Sequence, residues 1–213
     1  MLHRLARGAV RRLDVWVRRG YGVYEFSSHP ECILRLAWGR SRRGVVLSDG
    51  TLIAAGERVG ELHLWNERLP PMPPEGPDLR WAVAMYRGMV RSLQLLAAYA
   101  ENDPAWAGIR AWRGEAAFNR REEARSASKF LGQLGLELLP AEPAGPLKRF
   151  TDFWENLYSW WLIWTFNPAS LRSKRFWRLE RRQVWISRAT LLCRYGQHGS
   201  PQTDDLHKTA QVT

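Results

Sequence analysis

The chain has 213 residues, enough to bury a substantial core, and its 45% hydrophobic and 25% charged residues exclude a disordered protein. Its 32 basic residues outnumber 21 acidic ones for a formal net charge of +11, which favours phosphate, acidic polysaccharide or an anionic membrane surface as neighbours. Cys32 and Cys193 stand alone, which argues against a disulfide framework and points to a reducing, cytoplasmic compartment.

Leu2, Leu5, Ala9, Leu13 and Trp16 recur at helical spacing among arginines, with Gly20 closing the run. This predicts an N-terminal basic amphipathic helix, either docked on the core or lying on a membrane surface. No continuous apolar run follows its arginines, so no signal peptide is expected. No segment reaches the roughly 18 uninterrupted apolar residues that a bilayer span needs.

From Cys32 the period changes to two. Residues 33–38 and 44–48 read as strands, and Asp49-Gly50 is a tight-turn signal leading into Thr51-Leu52-Ile53. Gly56-Glu57 marks another turn before a fourth strand from Val59 to Trp65. An antiparallel β-meander over residues 32–65 follows. Pro70, Pro71, Pro73, Pro74 and Pro77 cannot continue a sheet, because proline lacks the ladder donor, so this segment reads as an extended connector.

Trp81, Met85, Met89, Leu93, Leu96 and Ala100 keep a helical period as far as Asn102-Asp103-Pro104. A strand over 109–118, a helix over 121–134 and a short strand over 136–139 come next, a central helix–strand–helix–strand unit. The C-terminal region is Trp-rich: Phe150, Phe153, Trp154, Leu157, Tyr158 and Trp161 share a helical face, and Asn167-Pro168 ends that helix. A basic stretch over 172–182, a strand at 184–186 and a short helix over 187–195 follow. The whole reads as one α+β domain over residues 1–196, with a polar, disordered tail over 197–213.

The segment 60–69, Gly-Glu-Leu-His-Leu-Trp-Asn-Glu-Arg-Leu, holds the most varied polar chemistry. Alternation on a strand puts Glu61, His63 and Trp65 on one face and Leu62 and Leu64 on the other. Glu61 and His63 are then a carboxylate–imidazole pair suited to acid–base catalysis, or equally to a structural network. Trp65, Asn66, Glu67 and Arg68 are candidate binding residues, and the last three also have the position to cap or clamp the proline-rich connector. No phosphate loop, dinucleotide fingerprint, nucleophile elbow or His-Glu-x-x-His motif is present, and His63 stands alone in the structured middle, so neither a metal nor a cofactor is expected.

Half of the 12 tryptophans fall between residues 154 and 185. Core packing accounts for such residues; stacking on sugar rings, a lipid-headgroup interface and single-stranded nucleic acid are the functional alternatives. Nucleic acid ranks last, since no recognisable binding motif accompanies the charge.

Three segments together carry a resemblance: Asp49-Gly50-Thr51 with the 60–67 segment, the run from Phe153 to Tyr158 ending at Asn167-Pro168, and Trp185-Ile186-Ser187-Arg188 before Tyr195-Gly196. They resemble the YkoP-like domain family of uncharacterised bacterial proteins, over roughly residues 10 to 196. The resemblance implies an α+β domain of the kind also found attached to polysaccharide deacetylases and near glycosyltransferases. It therefore implies a non-catalytic accessory or binding module in cell-envelope polysaccharide modification, with such enzymes as partners. The deacetylase Asp-Asp and His-x-x-x-His motifs have no counterpart in this chain, so that chemistry does not carry over. An enzyme using Glu61 and His63 as its acid–base pair and a peripheral membrane protein are the alternatives.

Overall fold

A computed structural model of the chain describes residues 14, 16–17, 19–118, 121–140, 146–166, 168–171 and 180–196. Most of the expected N-terminal basic helix and all of the 197–213 tail lie outside the described residues, as does most of the basic stretch 172–182.

Strand β1 (Leu34–Arg40) and strand β4 (Arg58–Leu64) pair antiparallel, with Leu34 opposite Leu64 and Arg40 opposite Arg58. Between them, β2 (Val45–Val46) and β3 (Leu52–Ile53) form their own small antiparallel ladder. The residue 32–65 region is thus two nested hairpins. The inner turn is set by Gly50, whose φ of 84° suits a residue without a Cβ, and by Asp49 Oδ1, which accepts from the Thr51 amide at 3.0 Å.

The connector 70–77 carries no regular element apart from a turn in which the Gly76 amide donates to Pro73 O at 3.0 Å. Helix α1 (Leu79–Asn102) then starts at Asp78, whose side chain caps the Trp81 amide, and ends before Pro104. Strand β5 (Ala111–Phe118) pairs parallel to β4, which is why a long crossover through α1 separates them. Helix α2 (Arg121–Gln133), β6 (Glu137–Leu138), helix α3 (Pro146–Phe166), β7 (Glu180–Ser187) and helix α4 (Arg188–Tyr195) complete the described elements. The main sheet runs β1-β4-β5-β7-β6, mixed because of the β4–β5 pair, and with these helices the fold is α+β.

The two faces of the sheet have different fates. One buries Leu34, Leu36, Trp112 and Ile186 against Met89, Leu93, Leu96 and Ala100 of α1 and Leu191 of α4. Each fully buried aliphatic side chain of this kind contributes about 1.5–3 kcal/mol. Trp38, Trp106 and Trp112 stack through this core, with centroids 3.8 and 6.2 Å apart and near-parallel rings, and the Arg58 guanidinium caps the stack 3.8 Å from the Trp38 ring. Gly60 makes room for it, since a Cβ there would overlap the Trp112 indole.

The other face is divided. Val45, Leu47 and Ile53 of the inner hairpin region cover Val59, Ala111 and Trp185 in a second, smaller core. Asp49 ties this hairpin to the start of α4 by accepting from the hydroxyls of Ser187 and Thr190. Burial pushes the Asp49 carboxyl up, but these hydroxyls and the Thr51 amide outweigh it and hold the group at about 2. What remains of this face is charged.

Candidate functional site

Cross-strand partners point to the same side of a sheet. The register therefore lines up Arg35 with His63, Ala37 with Glu61, and Glu61 with Arg113 on the face opposite α1. Glu115 and Arg181 extend the row, through Glu115 opposite Gln183 and Ala117 opposite Arg181. Buried or half-buried charges at such density need partners, and they have them.

Glu61 is the hub. Its Oε1 accepts from Arg113, at 2.5 Å from one terminal guanidinium nitrogen and 3.2 Å from Nε, and its Oε2 lies 3.7 Å from Nε2 of His63. The neighbouring imidazole and then the guanidinium hold the Glu61 carboxyl at about 2, against burial, which acts in the other direction. Gly39 on β1 leaves the space this carboxylate occupies; a Cβ there would overlap its Oε1. At neutral pH Glu61 is therefore an anion that positions its neighbours and not a proton donor.

His63 is 40% exposed, so one part of the ring faces outward while the Nε2 edge is enclosed beside Glu61. Nε2 makes no hydrogen bond among the described residues. The ring therefore meets the carboxylate at 3.7 Å along its enclosed edge and presents the remainder.

The alternation places Trp65 on the same side as its neighbours Arg35 and His63, but its ring is enclosed at 6% exposure. The Arg35 guanidinium lies 4.2 Å and that of Arg68 3.4 Å from the Trp65 ring centroid. Arg35 is buried and pairs with Glu25 at 3.2 Å and Glu67 at 3.3 Å. Arg68 donates to His29 O at 2.6 Å, tying the 3-10 turn Asn66–Arg68 to the loop before β1. Trp65, Glu67 and Arg68 thus make a clamp around the end of β4, with Asn66 opening the turn.

Helix α3 approaches this charged row with its polar side. Arg181 donates to Asn156 Oδ1 and Ser159 Oγ, both at 2.9 Å, and pairs with Glu115 at 3.1 Å. Asn156 and Thr165 are buried, whereas Trp154 and Trp161 are exposed. Tyr158 donates to Asp14 at 2.6 Å, so the aromatic face expected of this helix is shared between packing and solvent.

Reading the sequence brought Glu61, His63 and Trp65 together and missed Arg35, Arg113, Arg181 and Gly39. Arg113 and Glu115 alternate with Trp112 and Gly114, so the polar face of β5 was visible. Its adjacency to Glu61 depends on the parallel β4–β5 pairing, which no local signal reports.

Among the described residues, no group of three or more His, Cys, Asp or Glu is arranged to hold a metal ion. Among them, no helix is long and apolar enough to cross a membrane. The family model described as YkoP domain matches residues 39–195, a span that includes β4, Glu61, His63 and most of the charged row, and the chain belongs to that family. No curated protein and no solved structure matches the chain.

Proposed function

We propose that this YkoP domain is a non-catalytic binding module acting beside enzymes of cell-envelope polysaccharide modification, with His63 as the group it presents to its ligand. The observation that carries the reading is the state of Glu61. Both of its oxygens face cationic or polar neighbours and its carboxyl titrates at about 2, so the pair has a positioned imidazole but no companion acid. Guanidiniums, the other groups in the row, do not exchange protons in proteins. Such a set suits hydrogen bonding to hydroxyl and carboxylate groups better than two-group acid–base chemistry.

The saccharide assignment draws on the resemblance to domains joined to polysaccharide deacetylases, and the net charge of +11 favours an acidic glycan. In this reading Trp65, Asn66, Glu67 and Arg68 serve by holding the end of β4, and hence His63, in place. Retention of the purified protein on cell-envelope polysaccharide, compared with the His63→Ala variant, tests it. The wild type is retained and the variant is not, while the variant unfolds at the same urea concentration. Equal retention of the two proteins contradicts the reading.

A second reading has His63 as a lone general base oriented by Glu61, and the 3.7 Å contact is the observation that favours it. It requires turnover of a substrate, and a His63→Ala variant that still binds that substrate but no longer converts it.

A further inference from the structure

The first two turns of α1 expose one side to solvent. Leu79 (80% exposed), Val83 and Tyr86 form an apolar stripe along the outer side, four and then three residues apart. Trp81 and Met85 face inward on the opposite side: the Trp81 indole donates to Pro70 O at 3.0 Å and Met85 packs on the main core. The stripe is therefore left over after this part of the helix has already docked. Nothing in core packing calls for a leucine at position 79.

Arginines flank the stripe. Arg80 and Arg87 share one edge of it, since seven residues bring a helix back to nearly the same angle. Helix α2 comes alongside through an edge-to-face contact between Phe130 and Tyr86, with centroids 6.1 Å apart. Neither arginine makes an ion pair or hydrogen bond among the described residues. Asp78, next to Leu79 in sequence, is committed to capping the helix.

An exposed apolar stripe edged by unpaired cations is the arrangement by which a helix lies in the headgroup region of a bilayer: the stripe enters the acyl boundary and the cations meet lipid phosphates. We propose that the N-terminal turns of α1, with the adjoining flank of α2, dock this protein on an anionic membrane surface. Charge complementarity selects this occupant over a second copy of the chain, which would bring Arg80 and Arg87 against their equals. The surface is separate from the His63 row, and it would place a polysaccharide module at the membrane that borders its ligand.

Flotation of the full-length protein with vesicles tests the proposal. Vesicles containing phosphatidylglycerol should carry the wild type and pure phosphatidylcholine vesicles should not, and raised salt should weaken the association. The double substitution Leu79→Asp with Val83→Asp should reduce binding roughly tenfold or more, without shifting the unfolding midpoint, because both side chains are exposed. Arg80→Ser with Arg87→Ser should reduce binding to anionic vesicles too, and His63→Ala should leave it unchanged. Failure of the wild type to float with anionic vesicles overturns the proposal. So does undiminished binding by the double aspartate variant, or a concentration-dependent dimer that this variant abolishes in the absence of lipid.

Discussion

Arg113 and Glu61 lie side by side across the parallel β4–β5 pair, with 2.5 Å between a guanidinium nitrogen and Oε1, and this contact adds to that of His63 in keeping the carboxylate ionised. Arg113 is 11% and Glu61 24% exposed at the side chain, so the pair is largely withdrawn from water. Replacing one member leaves the other poorly compensated. Glu61→Gln should therefore lower stability by about 2 kcal/mol in urea unfolding, where an exposed pair would cost well under that. An unchanged midpoint would mean that the contact contributes nothing.

The same contact predicts an acid limb in the stability profile. The folded Glu61 carboxyl is depressed to about 2, so its contribution is fully present above the ordinary carboxylate range and is lost as pH falls from there toward about 2. Asp49, also held at about 2, titrates in the same window, so the wild-type profile sums the two. The difference between wild type and Glu61→Gln isolates Glu61: it should shrink with falling pH below about 4.3. A difference that stays constant between neutral pH and pH 3 contradicts the assignment.

Two glycines are required for different reasons, and alanine should separate them. Gly60→Ala drives a methyl group into the Trp112 indole and against Trp106 of the tryptophan stack, where neither ring has room to move. A loss of roughly 3 kcal/mol or more, or failure to fold, is expected. Gly39→Ala meets the end of the flexible Glu61 side chain instead, so the carboxylate can swing aside. Thermal melts should show a milder loss for Gly39→Ala, of the size seen for Glu61→Gln. Combining the two substitutions should cost less than their sum, because both remove the same contact.

Arg35 offers a test of packing against charge. Its partners Glu25 and Glu67 are 51% and 34% exposed, so losing these pairs leaves the carboxylates hydrated and costs little. The stem and guanidinium lying over Trp65 are buried. Arg35→Met keeps most of that volume and should cost under about 1 kcal/mol, whereas Arg35→Ala opens a void and should cost about 2–3 kcal/mol. Equal losses in chemical denaturation would assign the stabilisation to charge instead.

Local signals made much of this fold legible. The Asp49-Gly50 turn, the proline connector, the Pro104 stop of α1 and the start of α4 near Ser187 all depend on residues close in sequence. Strand ends fell within a few residues of their places for the same reason. Partner choice was not legible. That β1 skips the inner hairpin to pair with β4, and that β4 lies parallel to β5, are decided by which faces bury together.

The candidate site divides along the same line. The common face of Glu61 and His63 came from strand alternation, a local property. The Arg113 guanidinium that joins His63 in keeping Glu61 ionised arrives from 52 residues away, and the enclosure of Trp65 by Arg35 and Arg68 needs the loop before β1 in place. The tryptophan-rich helix α3 shows the limit of reading a stripe: its polar Asn156 turns inward because the sheet face beneath it carries Arg181.

Titrating isotope-labelled protein with soluble cell-envelope oligosaccharides, and following amide shifts on β4, tests whether the half-exposed His63 beside an ionised Glu61 is the recognition group of a glycan-binding module. The wild type should show saturable shifts centred on residues 61–64. His63→Ala should weaken binding roughly tenfold or more at unchanged stability. Saturable binding by His63→Ala with wild-type affinity, or shifts confined to residues remote from β4, would contradict the account.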